Sequence, residues 1–347
     1  MRNHIIQIAA FAARKIVGAI VTLWFLATVV FFLGRLTPGD EARAAAGASA
    51  TPEQVEAIRR RLGLTGSLME QYLAYLGRLA HGDLGVSSSS QGPVAGAIFA
   101  VLPHTAELVV TSMLIIVTVA IPLAVWSAVR ASGAGDTLRR LVVIIAAGMP
   151  TFWAAILLQS LVAGQWRILP ISGIATVGIQ VPPVTGLRTI DSVLAGSPIA
   201  FWDAVDHLIL PAVVLAIPFS GQLFRIVRAE LLRVLAREHI EVVRATGVSG
   251  RHVIWDHAFP QIVNPVLLIL GVDFAGMFGS AVLVESVFGR DGFGSFMTNA
   301  MAQKDTAAVL GGVLVIGIIV VVTSIVIDTI QIIRDPRVRA KQIGGAA

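Results

Sequence analysis

The chain reads as an all-α membrane protein with six transmembrane helices and both termini in the cytoplasm. Three observations predict this. Mean hydropathy is +0.82, and 56% hydrophobic residues stand against 14% charged ones, which lies outside the range of soluble domains. Charge-poor runs long enough to cross a bilayer recur along the chain. The basic residues are also unevenly placed. With the N-terminus inside, the cytoplasmic segments hold 16 of the 26 Lys and Arg: Arg2, Arg14, Lys15, Arg130, Arg139, Arg140, the six from Arg225 to Arg251, then Arg334, Arg337, Arg339 and Lys341. That is the positive-inside pattern. It accounts for the pI of about 10.4, so no nucleic acid is called for. With no cysteine, disulfides, thiolate metal sites and cysteine nucleophiles are excluded.

The first span covers 16–34. At about 1.5 Å per residue it reaches roughly 28 Å, enough for the hydrocarbon core. It exceeds the apolar region of a secretory leader, and the small-residue cluster at 44–50 lies too far downstream to be its cleavage site. About 65 external residues follow. Thr51-Pro-Glu-Gln54 is a capping box with Pro52 at the first helical position, and the helix it opens should end near Leu62, before Gly63. Ser67-Leu-Met-Glu70 is a second capping box. Leu68, Tyr72, Tyr75, Leu76 and Leu79 then make an apolar stripe. Two amphipathic helices are expected over the outer membrane face, with a flexible turn at 87–91 leading to the second span.

Spans two to six are expected at 108–129, 141–164, 207–224, 260–285 and 307–327. Pro122, Pro150 and Pro218 fall within or beside them, tolerable where neighbouring helices satisfy the freed backbone groups. The pairs Ala275/Gly279, Gly276/Ser280 and Ala308/Gly312 allow close helix approach. A long external loop is expected at 165–206, with Trp166 and Trp202 as interfacial anchors. Asp273 is the one acid read as lying well inside a span, so it should face a bundle interior, a partner helix or a polar path. His104 and Glu107 open the second span, where interfacial capping outweighs metal binding.

The most informative stretch is cytoplasmic. Leu231, Leu232, Leu235, Ile240 and Val243 form a helical stripe with Arg228, Arg233, Arg237 and Arg244 largely off it. Gly247 stops that helix, by a positive φ or by a close backbone approach, and Ser249 can cap the next. Pro260 closes His257-Ala-Phe-Pro260. Absences matter as well. No lysine follows a glycine, so there is no P-loop, and neither a His-Glu-x-x-His pair nor a Gly-x-Ser-x-Gly elbow in a strand–helix setting is present.

Glu241-Val-Val-Arg-Ala-Thr-Gly247 with Pro260 resembles the Glu-Ala-Ala-x3-Gly-x9-Ile-x-Leu-Pro loop of ABC importer permeases. Over nearly its whole length the chain is similar to the first of the two permeases of dipeptide/oligopeptide importers. The resemblance rests on Pro38-Gly39-Asp40, Leu62-Gly63-Leu64, Gln71 to Tyr75, Gly82 to Ser87, Met149 to Trp153, Leu169 to Gly173, His207 to Pro211 and Asp335 to Arg339. Three positions depart from that family. His257-Ala-Phe-Pro-Gln261 replaces His-x-Leu-Arg-Asn, Phe288-Gly-Arg-Asp-Gly-Phe-Gly294 lacks a proline, and Thr246 stands where a lysine is usual.

The resemblance implies a type I importer permease (MetI-like) fold in a bacterial cytoplasmic membrane. It divides into an N-terminal helix with its external segment (1–102), a core permease domain (103–334) and a cytoplasmic tail (335–347). It implies a non-catalytic subunit working with a homologous second permease, two ABC ATPases that bind the ATP and Mg2+, and an external substrate-binding protein delivering peptides; nickel chelates, glutathione or oligosaccharides are the alternative cargoes. The ATPase-coupling loop would be Ile240, Glu241, Val243, Arg244, Ala245, Gly247 and Pro260. Asp273, Gly276 and Gly279 would line the pathway or a subunit interface, and Tyr72 and Tyr75 would lie in an external docking surface. An ion-coupled carrier using Asp273 is the alternative class. An intramembrane hydrolase lacks a histidine well inside a span.

Overall fold

The computed structural model describes residues 2–36, 40–47, 49–90, 92–130 and 134–334. Pro38 and Gly39, Gln91 and the tail 335–347 with its Asp335 to Arg339 motif lie outside the described residues. Among the described residues the regular structure is helical and falls into two compact units, one drawn from residues up to 105 with 291–325, the other from 106–290 with 326–334.

The first unit begins with α1 (Arg2–Leu36), of which Ala13–Leu36 is long and apolar enough to span. Ile16, Ile20, Trp24 and Phe25 are exposed along it, a face suited to lipid. A short α2 (Glu41–Ala46) that the sequence reading lacked is capped by Asp40, whose carboxylate takes the Ala42 and Arg43 N–H groups. Both predicted capping boxes form, on α3 (Pro52–Arg61) and α4 (Leu68–Ala80), and Gly63 follows α3 at φ +69°. The apolar stripe of α4 packs inward from Tyr72 to Leu79, while Leu68 at its start stays exposed. Tyr75 stacks on Phe31 with ring centroids 5.3 Å apart, and the Tyr72 hydroxyl bonds Thr28 Oγ1 at 2.8 Å. Burial of two aromatic faces holds α4 to α1.

The unit is completed by α13 (Phe293–Ala302) and the start of α14 (Thr306–Arg334). Ala308/Gly312 works as a close-approach pair here: a Cβ on Gly312 would fall 2.1 Å from Met297 Sδ. Asp305, fully buried between α13 and α14, receives the Ser87 and Ser89 hydroxyls and the Ser89 and Ala308 N–H groups. Ser87 is thereby tied down and buried, which corrects the start of the flexible turn expected at 87–91: a buried carboxylate needs those donors.

In the second unit, α5 (Val94–Val129), which begins in the first, is followed by α6 (Ala134–Gly148) and α7 (Thr151–Leu158). These last two replace the straight third span. They meet at 105° across Met149 and Pro150, because the residue before a proline leaves the helical region and Pro150 starts a new helix as its N-cap. A π turn (Gln159–Gln165) ends α7, and the Gln159 side-chain amide donates to the Ile171 and Val287 carbonyls.

The expected external loop is shorter than 165–206. It is interrupted by α8 (Arg188–Leu194) and ends where α9 (Pro198–Leu235) begins. The fourth span is thus a 38-residue helix; the polar residues Asp203, Asp206 and Arg225 had concealed its ends. Gly221 lets α9 meet α6, since a Cβ there would lie 2.5 Å from Ala147 Cβ and 2.8 Å from its Cα. After α10 (Glu238–Ala245), α11 (Gly250–His252) and a π turn (Val253–Ala258), α12 (Phe259–Phe288) crosses back. Among the described residues, five continuous helices can span a membrane, and the α6–α7 pair makes six if its two arms count as one span.

Candidate coupling site: the cytoplasmic elbow

The elbow is built on apolar anchors. Leu231, Val234, Ile240, Val253 and Ala258 are all buried, so α10 is pressed onto the ends of α9 and α12 through one face. That corrects one expectation: Ile240, at 0% exposure, secures the elbow and offers nothing outward, whereas Val242 is 63% exposed. Glu241, Arg244, Ala245, Thr246 and Gly247 are exposed beside it, Val243 is half-buried, and Pro260 is exposed in the first turn of α12.

Gly247 has φ +82° and donates its N–H to Arg244 O at 3.1 Å. A Cβ on it would meet nothing within 4 Å. Of the two reasons for a glycine here, the left-handed backbone holds and the close approach does not. Thr246 donates its hydroxyl to Val243 O, tightening the turn. Ser249 sits at the start of α11, but its hydroxyl meets His252 Nδ1 at 2.7 Å and makes no cap bond to the backbone.

Two groups that hold the elbow escaped the sequence reading. Gln261 bridges its limbs, accepting from Arg237 Nη1 at 3.2 Å while its amide nitrogen lies 2.9 Å from His239 Nε2. Arg228, a turn or two before the elbow on α9, donates to Asp136 Oδ2 at 3.0 Å and to Ser127 Oγ at 3.1 Å. Asp136 is also reached by Arg139 and Arg140, and Arg139 lies over the Trp126 ring at 4.3 Å. Asp136 as the only acid in its basic loop was the available signal. The loop arginines set topology, and one of them also clamps α9 to the α5–α6 connection.

The remaining predicted residues lie elsewhere. Asp273 is 2% exposed in α12, with Gln222 Nε2 donating to its Oδ1 at 3.3 Å. Gly276 and Gly279 are exposed, and only Gly276 has a side chain, Phe219, within ordinary contact of where a Cβ would sit. Asp273 and Gly276, three residues apart, thus both face α9, through Gln222 and Phe219, whereas nothing lies within 4 Å of a Cβ on Gly279. Tyr72 and Tyr75, buried against α1, cannot themselves form a docking surface. His104 Nδ1 meets Asp291 O at 2.6 Å, and Glu107 accepts from the Thr189 N–H at 2.7 Å. Among the described residues no three metal-ligating side chains converge.

Residues 120–340 match the family described as binding-protein-dependent transport system inner membrane component, and residues 8–121 match its N-terminal membrane component. The chain belongs to this permease family. It is similar to the probable D,D-dipeptide transport system permease of Escherichia coli (strain K12), 33% identical over 92% of this chain and 95% of that one. It is 30% identical to the dipeptide transport system permease of the same strain, over 96% and 99%. With the di/tripeptide transport system permease of Pseudomonas aeruginosa (strain UCBPP-PA14) it shares 31% over 95% and 98%. The permease is thus a multi-pass inner-membrane component and a non-catalytic subunit of an ABC transporter. Membership sets aside the ion-coupled carrier class.

Proposed function

We propose that this permease passes di- or oligopeptides across the membrane, and that the α10–Gly247 elbow is where an ABC ATPase grips it. In that assembly it pairs with a homologous second permease, two ATPases bind ATP and Mg2+, and an external protein delivers the peptide. The similarity at about 30% identity to relatives named for dipeptides and tripeptides supports the cargo. One observation carries the coupling role: an exposed rim of Glu241, Val242, Arg244 and Gly247 stands on fully buried Ile240. A lever needs that combination, a face free to fit a groove and a base that cannot swivel. The outer helices α3 and α4 are proposed to meet the binding protein through their exposed polar faces.

The test is Gly247→Leu at matched membrane expression. A β-carbon at positive φ forces the turn to rearrange, so the ATPases should copurify poorly and peptide uptake should be lost, while Asp273→Ala leaves copurification unchanged. Normal uptake by Gly247→Leu would overturn the coupling role. Purified alone, the permease should hydrolyse no ATP.

A further inference from the structure

On the outer side of the first unit, a cup of about 220 Å3 is lined by four arginines, Arg35, Arg60, Arg61 and Arg78, against the single acid Asp83. Tyr75 also lines it. That side chain is 5% exposed and its hydroxyl has no hydrogen-bond partner among the described residues. Burial pushes the phenol up to about 12 against the opposing pull of Arg78, so it stays an O–H donor. Asp83 is partly occupied, taking the Gly85 N–H at 2.8 Å. Arg60 also pairs with Glu56 at 3.7 Å, but arginines still outnumber acids around the cup, and with a buried hydroxyl that lacks an acceptor they call for an anion with several oxygens.

The cup adjoins a second cavity of about 850 Å3, with which it shares Arg35, Leu64, Thr306 and Leu310. Besides the paired Asp40 and Arg59, Lys304 and the buried Asp305, this cleft is walled by Val30 and Leu33 of α1 and by Val309, Leu310 and Val313 of α14. Those residues belong to membrane-spanning helices, and with the N-terminus inside, this end of α1 faces the outer leaflet. Leu33 is 57% exposed. A cationic cup above an apolar cleft matches a molecule with an anionic head and a hydrocarbon tail, and neither a free anion nor an acidic protein segment has use for the cleft. We propose that this place binds an anionic phospholipid of the outer leaflet, its phosphate in the arginine cup and one acyl chain between α1 and α14.

The experiment uses the full chain, with whatever subunits copurify, in nanodiscs of phosphatidylcholine containing phosphatidylglycerol. Lipid retained after mild detergent release is counted by native mass spectrometry. Phosphatidylglycerol should be retained over phosphatidylcholine, and the double variant Arg61→Gln/Arg78→Gln should weaken that retention about tenfold or more, as expected for losing two charge-assisted bonds. Both side chains are exposed, so the fold should survive. Leu33→Trp, which fills the cleft, should also weaken it, and Tyr75→Phe should do so with one atom removed. Millimolar inorganic phosphate should not displace the lipid. Equal retention of the two lipids, or retention indifferent to both the arginine and Leu33 variants, would overturn the proposal. Displacement by phosphate together with insensitivity to Leu33→Trp would show a free-anion site instead.

Discussion

At the scale of single residues, the elbow turns on a backbone angle. Because open space surrounds the missing Cβ of Gly247, substitutions there should rank by tolerance of positive φ and not by size. Gly247→Asn should keep most uptake and Gly247→Val should lose it, with a local strain of about 1–2 kcal/mol for the ordinary L-residue; uptake at matched expression reads the order. The glycine was legible in the sequence, but which of its two virtues was being used was not, since a sequence shows no neighbouring atoms. The role of Asp305 was not legible, because its donors on Ser87 and Ser89 lie more than 200 positions away. Burial pushes its carboxyl up, but the bonds from Ser87, Ala308 and Ser89 outweigh this and leave it below the ordinary 3.8. A depressed folded value means the lock contributes stability above about pH 4 and loses it as pH falls through that folded value. Amide protection at 84–90, taken relative to the intrinsic exchange rate at each pH, should therefore fall in acid. Ser87→Ala should shift the onset to higher pH; an unchanged profile would show that Asp305 does not hold this segment.

At the scale of elements, local signals served best. The capping boxes and the α4 stripe were read correctly because each is complete within a dozen residues. The third span was not, since hydropathy over 141–164 is the same for a straight helix and for two arms at 105°, and only the backbone preference beside Pro150 separates them. The ends of α9 were missed for a related reason: a helix may continue past the hydrocarbon, where charge no longer disfavours it. Two glycine crossings in the second unit give a graded test of packing. A methyl at Gly221 would strike the backbone of Ala147, whereas at Gly271 it would strike Ile327 Cδ1, the far end of a flexible side chain. Both Ala variants overpack. Gly221→Ala should lower the melting temperature of the purified permease more than Gly271→Ala does, and the reverse order would mean that the α6–α9 crossing yields more readily than its geometry indicates.

At the scale of the whole molecule, class and orientation were legible from hydropathy and arginine placement alone, because a bilayer imposes them on any chain. Cargo was less so. The bent α6–α7 pair has a consequence for how the protein is made. Its shape depends on partners that leave the ribosome later: Gly221 for the crossing with α6, and the Val287 carbonyl for the Gln159 amide. While the chain is still short, the apolar stretch 141–164 has only the break beside Pro150 to mark its bend and nothing to fix the angle between its arms. The angle would then be fixed after insertion, once α9 and α12 arrive, so biogenesis of this permease should include a repacking step within the membrane. Since the chain has no cysteine of its own, single cysteines in α7 of nascent chains truncated before and after residue 287 can follow that step by accessibility to a water-soluble thiol reagent.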